Sequence, residues 1–172
     1  AGDVDTLLLD KTGTITFGNR LASEFVPVAG IDHARLVAAS VRCSVDDDTP
    51  EGRSVLELAK AQGFGSLLEA EEGARGEFVP FSADTRMSGV RLNGSGTFKG
   101  AVDAVLAASG KAPPQGLEEQ TRRISEEGGT PLAVLDGQEI LGLIYLKDTV
   151  KPGMRERFAE LPRSHGVRGA HI

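Results

Sequence analysis

The chain has one cysteine, Cys43, among 172 residues. A single thiol cannot form an internal disulfide, so the sequence reads as a protein of a reducing, cytosolic setting. Cys43 falls in an apolar helical pattern and reads as a small core residue. Metal-ligand spacing is also missing, because His33, His165 and His171 share no zinc-type spacing with one another or with Cys43. No stretch approaches the roughly 18 apolar residues of a membrane span. The longest apolar run, Ile140 to Leu146, contains a glycine, and no signal peptide is visible. Basic charge is in deficit, with 19 Lys and Arg against 25 Asp and Glu and a net charge of −6. That balance argues against nucleic acid and against an anionic membrane surface as partners. The chain starts without methionine a few residues before a buried-type strand, as expected of an excised domain.

The most informative stretch is Leu7-Leu8-Leu9-Asp10-Lys11-Thr12-Gly13-Thr14-Ile15-Thr16. Three consecutive leucines without alternation predict a strand, Asp5 to Asp10, buried on both faces. It ends in a carboxylate, a lysine and a cluster of hydroxyls. An Asp at the carboxyl end of a strand, facing a polar turn, is well placed to act as a nucleophile.

Beyond it, Thr14 to Gly18 reads as a turn and crossing segment, and Ser23 to Val28 as a half-buried strand. Asp32 opens a helix to about Ser44 with Leu36, Val37, Ser40 and Val41 on one stripe. Glu51 to Gln62 reads as a second helix, with Val55, Leu58 and Ala59 inward and Gly63 as its stop. Residues 63 to 76 are the least defined. Glu77 to Phe81 is a strand candidate. Met87 to Leu92 and Thr97 to Gly100 flank Asn93-Gly94-Ser95-Gly96, a strong hairpin signal. Short helices are expected at Asp103 to Ala108 and Leu117 to Glu127, separated by a proline-marked loop. Pro131 to Leu135 and Gln138 to Leu146 form a second hairpin around Asp136-Gly137. Residues 153 to 161 read as helical, and Gly166 to Ile172 as the start of a strand. The middle is therefore α+β, an antiparallel sheet flanked by helices. The two ends read as pieces of a parallel α/β unit into which the middle is inserted.

Asp10-Lys11-Thr12-Gly13-Thr14-Ile15-Thr16 resembles the DKTGTIT phosphorylation motif of the P-type ATPases. Four more stretches resemble the ATP-binding subunits of the Kdp-type, potassium-transporting branch. They are Asp48-Thr49-Pro50-Glu51-Gly52-Arg53-Ser54, the run Phe78-Val79-Pro80-Phe81-Ser82-Ala83-Asp84-Thr85-Arg86-Met87-Ser88-Gly89, Lys99-Gly100-Ala101-Val102-Asp103-Ala104, and Leu146-Lys147-Asp148-Thr149-Val150-Lys151. Their order and gaps agree with that branch up to about Arg168. The resemblance implies a haloacid-dehalogenase-type phosphorylation domain, incomplete here, with a nucleotide-binding domain inserted after its first strand. Residues 1–17 and 147–172 would belong to the former and 18–146 to the latter. It also implies ATP and Mg²⁺ as cofactors, and the other subunits of a potassium-transporting complex as partners. The setting would be the cytoplasmic part of a plasma (inner) membrane protein, the chain itself not being inserted in the membrane.

On this resemblance Asp10 is the nucleophile. A carboxylate is ionised at neutral pH and needs no general base. Its difficulty is approaching a polyanion, which Lys11 and Mg²⁺ would screen. The resemblance implies that Asp10 and the main-chain carbonyl of Thr12 hold the Mg²⁺. Haloacid-dehalogenase phosphatases carry a second Asp where this chain has Thr12, so its acyl phosphate should hydrolyse slowly. Phe81 is the candidate adenine platform, and Phe78 the core-facing aromatic of the pair. Periodicity alone favours Phe81 as a core residue, and the resemblance reverses that preference. Lys99 would reach a phosphate as a point charge, with Gly100 letting the backbone come close. Without the motif Lys99 would read as a surface lysine. Asp47 and Glu51 read as helix-capping and dipole-complementing residues, and the resemblance implies that they also line the nucleotide pocket. Ser82, Arg86 and Ser88 belong to the same pocket-lining stretch, although Arg86 could equally hold an internal ion pair. Asp148 is a further candidate near the return to the phosphorylation domain. Substitution of Phe81 or Lys99 by Ala is expected to weaken nucleotide binding with little change in fold.

Three readings compete: the catalytic portion of a potassium pump, a soluble haloacid-dehalogenase-type phosphatase, and a nucleotide-binding module without chemistry. A P-type pump for another cation is the nearest rival. Thr12 and the large insert disfavour the phosphatase. The family's TGD and GDG-type loops, which complete its Mg²⁺ site, do not occur in this sequence, and Gly169-Ala170-His171 departs from the family's hydrophobic strand. The 172-residue polypeptide is therefore expected to bind ATP weakly without sustained turnover. Phosphate release from the purified chain should stay at the level of an Asp10→Asn control, and a steady release abolished by that substitution would contradict the expectation.

Overall fold

A computed structural model of the protein describes residues 6–8, 16–73, 76–92, 94–150, 153–154, 156 and 169–171. These divide into two compact units, one of residues 1–20 with 148–172, the other of residues 21–147. In the first, β1 (Thr6–Leu8) pairs in parallel with β8 (Gly169–His171), Leu7 opposite Ala170. Both ends of the chain therefore join one parallel pair, as the sequence predicts. The helix expected over 153–161 lies mostly outside the described residues.

The second unit is built on an antiparallel sheet in the order β2-β7-β6-β5-β4-β3. Its strands are β2 (Thr16–Pro27), β3 (Glu77–Val79), β4 (Met87–Leu92), β5 (Ser95–Ala101), β6 (Thr130–Asp136) and β7 (Glu139–Val150). Leu92 pairs with Ser95 across the expected hairpin turn, where Gly94 has φ +80°. Helices α1 (His33–Arg42), α2 (Pro50–Ala61), α3 (Gly65–Gly73), α4 (Val102–Ser109) and α5 (Leu117–Glu126) complete the described elements.

Two apolar clusters form this unit's core. Leu36, Val37 and Val41 of α1 pack with Val55 and Ala59 of α2, Leu68 of α3 and Val134, Ile144 and Leu146 of the sheet. Val105 of α4 and Leu117 and Ile124 of α5 pack with Ala133, Leu135, Leu143 and Tyr145. Successive residues of a strand face opposite ways, so the sheet carries α1–α3 on one face and α4 and α5 on the other. A bulge interrupts the alternation in β7: Val134 pairs with Gly142 and Leu135 with Ile140, leaving Leu141 with no residue opposite it in β6. Leu141 thereby joins the same cluster as Ile144.

The inward stripe of α1 and the Gly63 stop of α2 are found as expected, the latter at φ +88°. Two expectations are corrected. Residues 63–76 are not undefined, since α3 occupies most of them, anchored by Leu68 at 5% exposure. The turn and crossing segment expected over Thr14 to Gly18 is, from Thr16 on, the start of the edge strand β2, with Gly18 to Arg20 exposed; residues 14 and 15 lie outside the described residues. Arg42 of α1 ties α3 through a bidentate pair with Glu71 at 2.9 and 3.0 Å. Glu71→Gln should lower the midpoint of thermal unfolding by a few degrees, corresponding to about 1 kcal/mol, as read by circular dichroism.

Candidate functional site

Lys99 is the largest fully buried side chain among the described residues, 1% exposed. It lies on β5 directly opposite Val134 of β6 and Ser88 of β4, so all three share the sheet face covered by α1–α3. A buried ammonium needs a counter-charge and hydrogen-bond acceptors. Lys99 Nζ donates to Asp47 Oδ2 at 2.6 Å and to the Cys43 carbonyl at 3.0 Å. Both acceptors come from the turn that ends α1. The Cys43 thiol is itself buried, and burial pushes its pKa up, which leaves it an inert packing group.

Asp47 is held from the other side by α2. Its Oδ1 accepts from Thr49 N at 3.1 Å and from Thr49 Oγ1 at 2.7 Å, while Thr49 Oγ1 accepts from Gly52 N at 3.0 Å. The residue that caps α2 is therefore Thr49, and Asp47 acts through it. Gly52 is required by proximity: a Cβ there would lie 2.5 Å from Asp47 Cγ and from its carbonyl oxygen. Glu51 sits in the first turn of α2, where a carboxylate complements the helix dipole. Burial alone would raise the Asp47 pKa, but the Lys99 charge and the hydrogen bonds from Lys99 and Thr49 outweigh it and hold the carboxyl below its ordinary range.

The loop between β3 and β4 presents Phe81. This side chain is 64% exposed, whereas Phe78 in β3 is half-buried. The loop is braced from within. Ser82 Oγ bonds Thr85 Oγ1 at 2.8 Å and accepts from Thr85 N at 3.1 Å, and Arg86 N donates to Ser82 O at 2.8 Å. Arg86 has φ +51° and its guanidinium pairs with Asp103; that hydrogen bond, more than any other influence, lowers the Asp103 pKa. Of the two roles open to Arg86, the internal ion pair is the one observed. Gly100 admits the loop's end: Ala101 N donates to Arg86 O at 3.1 Å, and a Cβ at position 100 would lie 2.4 Å from that oxygen. Ser88 follows, buried and across from Lys99.

The structure thus joins Asp47, Lys99 and Ser88 directly, and ties Ser82, Arg86 and Gly100 into one loop with Phe81. Asp10, Lys11 and Thr12 lie outside the described residues. The expectation for Lys99 changes most. It is not a surface lysine, and its charge is already neutralised by Asp47, because β5 faces Val134 and α1 rather than solvent. Thr49, Gly52 and the Cys43 carbonyl were missed from the sequence. The hydroxyl before Pro50, a helix-start signal, could have identified Thr49. No sequence signal marks a main-chain carbonyl. Asp148, the further candidate, accepts from Thr16 Oγ1 at 2.5 Å.

Breaking the buried pair should cost stability. The burial of Lys99 against Asp47 corrects the expectation that Lys99→Ala would change the fold little: Lys99→Ala and Asp47→Asn are each expected to destabilise by about 3–5 kcal/mol, and Lys99→Met with Asp47→Leu to recover much of that loss, in urea melts. The sign with pH follows from the lowered Asp47 pKa. Its contribution is fully present above the ordinary carboxylate range and disappears as pH falls through the lower native value. Wild type should therefore lose more stability on acidification below about pH 4 than Asp47→Asn does.

Comparison with known proteins agrees with this architecture. The model of the haloacid dehalogenase-like hydrolase family matches residues 4–170. The potassium-transporting ATPase ATP-binding subunit of Rhizobium meliloti (strain 1021) is 51% identical over 171 residues, 98% of this chain and 25% of that protein. The subunit of the same name from Bacillus cytotoxicus is 51% identical over 173 residues, 98% of this chain and 24% of its own length. The chain thus spans about a quarter of the curated relatives it matches. In fold it is similar to the crystal structure of a zinc-transporting PIB-type ATPase in the E2.Pi state, with a TM-score of 0.65 and 22% identity over 96% of this chain and 25% of that one. The chain belongs to the haloacid dehalogenase-like hydrolase family, and its similarity to the ATP-binding subunits of potassium-transporting ATPases runs through nearly all of its residues.

Proposed function

We propose that this chain is the ATP-handling part of a potassium-transporting P-type ATPase. Residues 18–146 form its nucleotide-binding domain, and residues 1–17 and 147–172 are parts of its phosphorylation domain. The observation that carries the reading is the relatives' identity of about half over 98% of the chain, which spans every motif quoted above. The geometry supports it at one place in particular. Phe81 is a large, exposed aromatic on a loop braced by three hydrogen bonds within its own motif and by the Arg86–Asp103 ion pair. A rigid exposed ring is suited to stack on a purine.

In this reading Phe81 stacks on adenine, and Ser82, Arg86 and Ser88 belong to the wall beside it. Asp47, in the turn that ends α1, and Glu51, in the first turn of α2, line the pocket. Lys99 and Gly100 form its floor, with Lys99 acting through Asp47 rather than as a free charge. The Asp10 carboxylate attacks the γ-phosphorus of ATP; the new bond is an acyl phosphate, and the broken one releases ADP. Lys11 screens the approach of the two anions. Asp10 and the Thr12 carbonyl make an oxygen donor set suited to a hard cation, and a bound Mg²⁺ would offset the phosphate charge there. Thr12, in place of a second carboxylate, preserves the acyl phosphate until the pump's cycle consumes it. The partners are the other subunits of the potassium-transporting complex, in the plasma membrane and with this part in the cytoplasm. Among the described residues no helix is long and apolar enough to cross a membrane.

Two measurements test the reading. In the complete parent complex, ATP labelled at the γ-position should leave an acid-stable, hydroxylamine-sensitive label that Asp10→Asn abolishes; an equal label in that variant would overturn the assignment. In the isolated chain, Phe81→Ala should weaken binding of a non-hydrolysable ATP analogue by about tenfold or more, the worth of one base stack, with an unchanged melting curve. Unaltered affinity in a titration would remove the proposed platform.

A further inference from the structure

Ser54 lines no part of the proposed pocket, yet its hydroxyl links that pocket to the edge of the sheet. Strand β2 is outermost, with only β7 beside it. The backbone groups of an edge strand that point outward have no strand to pair with. Ala22 N–H finds its acceptor on α2, donating to Ser54 Oγ at 2.8 Å. The hydroxyl's own proton goes to the Glu51 carbonyl at 2.7 Å. A hydroxyl has one proton to give, so the two bonds fix its roles: acceptor from β2, donor to the first turn of α2. Ser54 is 5% exposed, and water does not readily substitute there.

The turn held in this way is the one that organises the site. Glu51 belongs to it, and Gly52 donates to Thr49, which in turn donates to Asp47, whose second oxygen holds Lys99. Every member of the chain from Ala22 to Lys99 lies within the unit of residues 21–147. Without the Ser54 hydroxyl, α2 would still pack through Val55 and Ala59. Apolar packing is non-directional, so it sets the distance of the helix from the sheet better than its height along its own axis. The Ala22 hydrogen bond, received by a hydroxyl whose direction is fixed by its own bond to Glu51 within α2, supplies that missing coordinate.

We propose that Ser54 is a positioning residue for nucleotide binding, setting the height of the first turn of α2 against β2 and with it the alignment of Asp47 and Glu51. This rests on the reading of the site as an ATP pocket. Three forms of the 172-residue chain would be compared, wild type, Ser54→Ala and Ser54→Thr, each titrated with a non-hydrolysable ATP analogue and followed by amide NMR. Ser54→Ala should raise Kd about five- to tenfold, the equivalent of one hydrogen bond, and Ser54→Thr should restore most of the affinity. The Ala22 amide, outside the pocket, should shift on saturation of wild type and Ser54→Thr, and not in Ser54→Ala. A lowered melting temperature with unchanged Kd in Ser54→Ala would make the residue merely structural and overturn the proposal. Should Ser54→Ala fail to fold, an Ala22 amide that ignores the nucleotide in wild type overturns it equally. If wild type binds no analogue at all, the ATP reading itself fails, a result distinct from normal binding with an indifferent Ser54.

Discussion

A lysine ammonium taken out of water is among the costliest things a small protein can bury, and the site around it is arranged to meet that cost. Lys99 lies under the turn that closes α1, and two of its three protons go to an ionised partner in Asp47 and a neutral one in the Cys43 carbonyl. Asp47 in turn needs donors, which it takes from Thr49. Gly52 leaves room for the carboxyl group to sit against the helix. One buried charge therefore dictates a turn, a helix cap and a glycine, in residues separated from it by about half a hundred positions of sequence. The apolar clusters supply bulk attraction but no comparable directionality. They hold the helices to the sheet, while the ion pair fixes which turn faces which strand.

Much of this was legible in the sequence where periodicity and turn chemistry are strong. The stripe of α1 and the two hairpins at Asn93-Gly94 and Asp136-Gly137 follow from patterns local to each segment. So does the α+β character of the middle. What escaped is what depends on remote partners. The helix α3 has a weak apolar pattern and a glycine at each end, and it forms because Leu68 reaches the core and Glu71 reaches Arg42. The early part of β2 has no alternation because Gly18, Asn19 and Arg20 are all exposed, so neither face of the strand is covered there. The bulge at Leu141 shifts the inward face of β7 in mid-strand, which no period-two reading anticipates.

The candidate site divides along the same line. Motif resemblance named Asp47, Glu51, Phe81, Ser82, Arg86, Ser88, Lys99 and Gly100, and the structure draws most of them into two hydrogen-bonded groups. It could not reveal how they are connected. An exposed Phe81 and a buried Lys99 invert the usual assignment of aromatics to the interior and lysines to the surface. Local sequence carries no sign of that inversion, since both residues sit in ordinary strand-and-loop surroundings. Arg86 is a milder case. Its pairing with Asp103 joins two motifs separated by a hairpin, and only the register of β4 against β5 brings them together.

The outer strands of the sheet have a consequence for how the protein behaves in company. An open sheet invites another chain to add a strand, the first step toward aggregation. Here one margin is β3, only Glu77–Val79, and it is followed at once by Pro80, which has no amide proton to offer. At the other margin the Ala22 amide is already occupied by Ser54. Both borders of the sheet therefore offer fewer free amide protons to an incoming strand than an open edge would, and less of a template for pairing with a neighbouring copy.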